Sequence, residues 1–235
     1  IVGGARPSVD ITFVNNLSYA TVIRYGYTGV GNRDGFVADN YLDGISFAYW
    51  NELQVFRNTL FKSSSRGIHD HGRLVIAAAD PATYDYATNV MDFNEIYSDV
   101  FFPPRYIAFN GPRTGNGGAN LEEWQALTGY EKSGKTFNIK HPTGKKVFLR
   151  GNDYDQNRAD LIIYNWDLDT TVNVDLSEFL KAGDNFEIRQ AYAPTTDIQA
   201  GTYNGTNIVI PMTGYDIAPP VGGAALSVSR FPEFG

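Results

Sequence analysis

The sequence predicts an all-β protein in which a stack of short coils is followed by a second β domain. Three observations support this fold class: a short phrase recurs along the chain, its apolar residues alternate as they do in strands, and the composition favours strands. The 235 residues include 15 Tyr, 15 Phe and 24 Gly, and 43% of them are apolar. This apolar content is sufficient for a core, and abundant aromatic residues with frequent turn formers are typical of β proteins.

The recurring phrase has a Val three residues before an Asn and a Leu two residues after it. Residues 37–42 (VADNYL) and 55–60 (VFRNTL) carry it, and their asparagines, Asn40 and Asn58, are 18 residues apart. Residues 91–96 (MDFNEI) repeat it around Asn94, 36 residues further on, and a weaker copy surrounds Asn16. A fixed short period is typical of solenoids, in which each coil buries its apolar face against its neighbours. We therefore expect the asparagines to stack and to hydrogen-bond along the pile.

In these repeated phrases, the first half of the chain resembles the last coils of a right-handed parallel β-helix of the pectate-lyase-like type. Such β-helices are found in secreted bacterial polysaccharide-active proteins. Residues 120–133 (NLEEWQALTGYEKS) are similar to the Trp-containing segment that often follows the final coil, and residues 147–166 and 174–191 are similar to an appended β-sandwich. The resemblance implies β-helix coils over residues 1–110, a connector with a short helix over 111–145, and an antiparallel β-sandwich over 146–235. It implies architecture more than chemistry, because such β-helices host lyases, hydrolases, adhesins and phage tail spikes.

Individual elements are expected where β-branched and aromatic residues run between turn formers. In the first half, strands are expected at residues 11–14, 20–25, 36–61, 74–76 and 89–97. A short helix is expected over residues 121–128, because Asn120 is a good N-cap and two glutamates follow in the first turn. In the last part, strands are expected at residues 146–150, 160–166, 171–175, 185–190, 207–211 and 224–229, and Asn204-Gly205 predicts a tight turn. The domain boundary is expected at residues 141–145.

The best candidates for catalysis are Arg66, His69, Asp70 and His71, in which two histidines flank an aspartate. Exposed beside the coils, this set would supply a general base together with an arginine whose fork binds a uronate carboxylate, as a polysaccharide lyase requires. Two histidines at alternate positions of a strand could instead ligate a metal. The third interpretation is a polar loop between two coils.

Aromatic residues suggest a surface for sugars, because the faces of the rings are apolar and their edges are polar. Tyr49 and Trp50 are the candidates for carbohydrate binding, and burial in the core is the alternative for both.

Calcium is the cofactor that the sequence allows, because oxygen ligands recur at alternate positions in Asp153, Asp155 and Asn157. This loop lacks the glycine and the distant glutamate of an EF-hand, so a plain turn between strands is the alternative. Acids near the repeated phrase form a second candidate set: Asp39, Asp43 and Asp92.

Composition excludes several classes of function. The formal net charge is −7 and no basic tract is present, which disfavours a nucleic-acid partner. No apolar run reaches the roughly 20 residues of a membrane span. The absence of cysteine excludes disulfides and thiolate metal sites.

The leading hypothesis is an extracellular or cell-surface protein that binds or cleaves a polysaccharide along the coil face; as an enzyme it would be a polysaccharide lyase or a glycoside hydrolase. The alternative is a non-catalytic structural or adhesive protein, such as a surface fibre, a filament subunit or a phage appendage. In that role the chain would self-associate through the ends of the coil stack.

Overall fold

The computed structural model describes residues 6–21, 23–26, 31–48, 50–63, 74–77, 88–97, 107–109, 121–191, 193–215 and 230–235. The chain divides into two compact units, Ile1–Pro142 and Thr143–Gly235, and the division falls inside the predicted boundary. Each unit has its own hydrophobic core.

The first unit consists of short strands and, within its described residues, one helix. The strands are β1 (Val9–Val14), β2 (Ile23–Tyr25), β3 (Asn32–Ala38), β4 (Tyr41–Leu42), β5 (Ile45–Ala48), β6 (Trp50–Phe56), β7 (Thr59–Leu60), β8 (Leu74–Ala77), β9 (Val90–Asp92), β10 (Glu95–Tyr97), β11 (Ile107–Phe109) and β12 (Lys135–Phe137). Helix α1 (Leu121–Thr128) has the predicted limits. At eight residues it is too short to cross a bilayer, and the described part of the chain contains no helix that could.

These strands form three parallel sheets. Sheet 1 has the order β1-β3-β6-β9, sheet 2 the order β12-β10-β7-β4, and sheet 3 the order β11-β8-β5-β2. From β3 to β11 the chain visits sheets 1, 2 and 3 in rotation, so each circuit adds one strand to each sheet. Equivalent residues of successive circuits therefore lie side by side, as Val37, Val55 and Met91 do in sheet 1. These three side chains are at most 1% exposed and form part of the core.

The asparagines of the repeated phrase form a continuous hydrogen-bonded ladder, which confirms the predicted stacking. Nδ2 of Asn16 donates to Oδ1 of Asn40 at 3.0 Å, Asn40 donates to Asn58 at 2.8 Å, and Asn58 donates to Asn94 at 2.8 Å. Each accepting Oδ1 also receives the backbone N–H of the asparagine one coil earlier. The bonds between asparagines thus have one direction, with each donor pointing towards the C-terminal end of the stack, while the second hydrogen of Nδ2 in Asn40, Asn58 and Asn94 is donated to a carbonyl of the preceding coil.

Glu131 closes the ladder at that end. Its carboxyl oxygens accept Nδ2 of Asn94 at 2.6 Å and the backbone N–H of Asn94 at 3.2 Å. A carboxylate only accepts, so it suits the end of a row whose donors all point one way. Glu131 is fully buried, and burial raises its pKa to about 7, although the hydrogen bonds from Asn94 act in the opposite direction.

The residues predicted as a separate connector belong to the first unit as far as Pro142. Trp124 of α1 and Tyr130 are 1% and 5% exposed and lie in the same core cluster as the inward side chains of the coils. Burial of these two rings explains the difference, because a free linker would leave them in water.

The second unit contains β13 (Lys145–Gly151), β14 (Ala159–Asn165), β15 (Thr171–Val174), β16 (Asn185–Gln190), β17 (Ala193–Thr202) and β18 (Ile208–Pro211). They form antiparallel pairs, β13 with β14, β15 with β18 and β16 with β17. Strand β17 was not predicted. The last predicted strand, residues 224–229, lies outside the described residues. The described chain is therefore mainly β, parallel in the first unit and antiparallel in the second.

Candidate active site

The catalytic candidates Arg66, His69, Asp70 and His71 lie outside the described residues, and so does Tyr49. The predictions for these five residues stay predictions.

The prediction that Trp50 binds carbohydrate is wrong. Trp50 is 0% exposed, its ring stacks on Tyr25 with 4.5 Å between centroids, and its Nε1 donates to the Tyr25 carbonyl at 2.8 Å. The reason is a break in strand alternation: Trp50 and Leu53 both face the core, with two exposed residues between them.

The proposed calcium loop is a hairpin connection between β13 and β14. Oδ1 of Asn152 accepts the N–H groups of Tyr154 and Asp155, and Oδ1 of Asp155 accepts the N–H of Asn157. Side-chain oxygens that bond to the backbone two or three residues on are typical of turns. Nowhere in the described ranges do three or more acids or histidines form a group that could hold a metal ion.

The acids near the repeated phrase also have structural partners. Asp39 binds Arg57 through two hydrogen bonds of 2.7 and 2.8 Å, and the buried Asp43 accepts the N–H and the hydroxyl of Ser63. Their oxygens are therefore used between neighbouring coils.

The outer face of sheet 1 carries a different set of acids. Asp34 of β3 and Glu52 of β6 occupy equivalent positions in neighbouring strands, because Arg33 pairs with Asn51 and Gly35 pairs with Leu53. Both acids are exposed, and both have left-handed backbone angles, with φ of 55° and 56°. Asp10 of β1 repeats this conformation one strand further along, with φ of 56°.

The Asp34 and Glu52 side chains are neighbours on the outer face of sheet 1. The hydrogen bond to Asp34 and the negative charge of Asp34 raise the pKa of Glu52 above its ordinary value, while Arg33 acts in the opposite direction. Two like charges held together are harder to ionise together than apart, so Glu52 holds its proton to a higher pH than a free glutamate does. The pair therefore brings two carboxyls together at the surface.

The surroundings of the pair suit a sugar polymer. Nε of Arg33 lies 3.5 Å from Oδ2 of Asp34. Two residues further along each strand, Phe36 and Gln54 face outwards side by side, and the Phe36 ring lies 6.5 Å from that of Phe56. Half-buried aromatic rings offer apolar faces, and the amide offers a donor and an acceptor.

Asp34 and Glu52 were not among the predicted site residues, although the repeat contains a signal for them. An acid stands six residues before the ladder asparagine in three of the four copies, at Asp10, Asp34 and Glu52, whereas Thr88 has that position in the fourth. Extending the repeated phrase by three residues upstream would have brought these acids together.

Comparison with known proteins gives no guide to the use of this face: no family model, no curated protein and no solved structure matches the chain.

Proposed function

We propose that the first unit is the C-terminal part of a right-handed parallel β-helix, that the second unit is a β-sandwich, and that the protein is an extracellular, polysaccharide-active protein. The polymer would lie across the outer face of sheet 1. The observation that carries this proposal is the pair of neighbouring acids, Asp34 and Glu52, beside the half-buried rings of Phe36 and Phe56 on that face.

The chemistry that this pair supports is hydrolysis of a glycosidic bond. The protonated Glu52 donates its proton to the leaving oxygen as the bond from that oxygen to the anomeric carbon breaks. The negatively charged Asp34 accepts a proton from the water that attacks the anomeric carbon. Two carboxyl groups in these roles are used by inverting glycoside hydrolases, with about 6.5–9.5 Å between them to leave room for the water, so the Asp34 and Glu52 side chains have to separate around the glycosidic bond before they act. A lyase would instead need a base and a cation for the uronate, which are the roles predicted for His69 and Arg66.

The left-handed conformation of Glu52 belongs to the repeat, because Asp10 and Asp34 adopt it at the equivalent positions of the neighbouring strands. Here the conformation places two consecutive residues, Asn51 and Glu52, on the exposed side of β6.

A panel of neutral and uronate polysaccharides tests the proposal, with new reducing ends measuring hydrolysis and absorbance of unsaturated products measuring elimination. We expect new reducing ends to form. Their rate of formation should fall by at least about 100-fold in Glu52→Gln and in Asp34→Asn, because general acid–base catalysis contributes about 10²–10⁴-fold. Asp153→Asn, which removes an exposed acid from the β13–β14 hairpin, is the matched control. Binding without cleavage would reduce the proposal to a binding face, and neither binding nor cleavage across the panel would reject it.

The second candidate function is assembly, and the N-terminal end of the stack favours it. Phe13 and Ile23 are only half-buried, whereas their partners in the next coil, Val37 and Ile45, are at most 1% exposed. Among the described residues, β1 is the edge strand of sheet 1, and Asn16 presents its acceptor end there. This edge could receive a coil that supplies donors.

The opposite end does not complement this edge, because Glu131 supplies acceptors and α1 contributes Trp124 to the core. Growth of a filament from identical subunits, head to tail, is therefore disfavoured, and self-association would join two molecules through their β1 edges. Light scattering over a range of concentrations tests assembly, with Val9→Lys and Val14→Lys as edge-blocking variants. A wild-type protein that is monomeric at every concentration would reject this second candidate.

A further inference from the structure

We propose that the second unit holds a separate binding cleft for one ring of a neutral sugar, formed by Phe186, Gln199, Thr202, Tyr203, Asn204 and Asn207. This cleft lies in the second unit, whereas the proposed active site lies in the first. The inference does not depend on the proposed hydrolysis.

The cleft is formed where β17 turns into β18 beside β16. Its volume is about 260 Å³, and Phe186 of β16, Gln199 of β17 and Ile208 of β18 are among its lining residues. Pockets for drug-sized ligands have about 300–1,000 Å³, so this one suits a smaller molecule.

The sequence fixes the rim of the cleft through a turn. Gly205 has φ of 85°, and Oδ1 of Asn204 accepts the N–H of Thr206 at 3.0 Å and its hydroxyl at 2.6 Å. These bonds occupy the oxygen of Asn204 and hold its side chain in place. Its Nδ2 is therefore the group that remains to donate to a ligand.

The chemistry of the lining indicates an uncharged ligand with hydroxyl groups. Among the described lining residues none is charged, and amides and hydroxyls alternate with apolar side chains. Amides recognise hydroxyl groups as both donors and acceptors, and an aromatic ring such as Phe186 offers an apolar face. A sugar ring presents both kinds of surface at once.

A buried hydroxyl gives an independent indication of a ligand. Tyr203 is 2% exposed, and within the described part of the chain its hydroxyl has no hydrogen-bond partner. An unsatisfied buried polar group costs about 1–3 kcal/mol, and a bound hydroxyl would offset this cost once the lining shifts to admit it, because the oxygen is closed to solvent in the free protein. Tyr203 is also a lining residue of the cleft.

The experiment is a titration of the whole chain, labelled with ¹⁵N, with glucose, galactose and mannose, followed by amide shifts. Glucuronate and adenosine provide the charged and the non-sugar arms. We expect shifts centred on residues 203–207 for at least one neutral sugar, with dissociation constants in the millimolar range. Asn207→Ala and Tyr203→Phe should each weaken that binding by about tenfold, and Asn157→Ala on the β13–β14 hairpin should leave it unchanged.

Tyr203→Phe distinguishes a ligand role from a structural one. Loss of an orphaned hydroxyl should leave the unfolding midpoint of the free protein unchanged or higher while it weakens sugar binding. No shifts with any neutral sugar, tighter binding of glucuronate or adenosine, or binding insensitive to Asn207→Ala would each overturn the inference. A Glu52→Gln variant that loses hydrolysis but keeps the amide shifts with sugar would separate the two proposals. An Asn207→Ala variant that loses the shifts but keeps hydrolysis would separate them as well.

Discussion

Asn58 lies in the middle of the asparagine ladder, and its replacement tests whether the ladder holds the coils together. Its side chain makes four hydrogen bonds: Oδ1 accepts the N–H and Nδ2 of Asn40, and Nδ2 donates to the Val37 carbonyl and to Oδ1 of Asn94. Asn58 is 1% exposed, so water cannot replace these partners. Asn58→Ala removes all four bonds.

The expected cost is about 4 kcal/mol, because each hydrogen bond contributes about 1 kcal/mol net and an orphaned buried group costs more. Asn40 keeps a bond from Nδ2 to the Phe13 carbonyl, and Oδ1 of Asn94 keeps the backbone N–H of Asn58, which limits the loss. Asn58→Asp should cost at least as much, because it preserves shape but turns an oxygen towards the two acceptors that Nδ2 now serves.

Urea unfolding followed by tryptophan fluorescence measures this cost. Trp50 and Trp124 report on the first unit and Trp166 on the second. Replacement of Trp166 therefore leaves a fluorescence signal from the first unit alone, which separates its unfolding transition from that of the second. Asn51→Ala, at an exposed position of β6, is the control and should change stability by less than about 0.5 kcal/mol. A loss below about 1 kcal/mol in Asn58→Ala would refute the view that the ladder stabilises the stack.

Three further predictions concern the first unit. Burial raises the pKa of Glu131 to about 7, so its contribution to folding stability is fully present below the unfolded pKa of about 4.5 and is lost as the pH rises through 7. The unfolding midpoint should therefore be higher at about pH 5 than at about pH 8. Glu131→Gln should abolish that difference. Gly35→Ala should destabilise by about 1–3 kcal/mol, because a Cβ there would lie 2.8 Å from the Trp50 ring, and an unchanged melting temperature would contradict this packing. Arg57→Ala should lower the urea midpoint of the first unit only slightly, and less again in high salt, because its pair with Asp39 is exposed and screened by water.

The periodic features of the fold could be predicted from the sequence. The spacing of Asn40, Asn58 and Asn94 predicted their stacking, because a fixed repeat in a coil places equivalent residues above one another. Helix α1 was predicted with its observed limits, because capping and first-turn acids are local signals.

The candidate site could not be predicted in the same way. Strand alternation assigns residues to faces with period two, but left-handed residues at Asp34 and Glu52 interrupt that period. As a result Trp50, a candidate for carbohydrate binding, faces the core, and the two acids lie side by side on the surface.

The sequence by itself determined that this is a β protein with a repeated coil, an asparagine in each repeat and a short helix after it, because these properties follow from spacing and local chemistry. Tertiary structure decided which carboxyl closes the ladder and which carboxyls meet. Glu131 lies 37 residues from Asn94, and Asp34 belongs to a different coil from Glu52. Such partners are chosen by the register between strands, which depends on the packing of the whole stack.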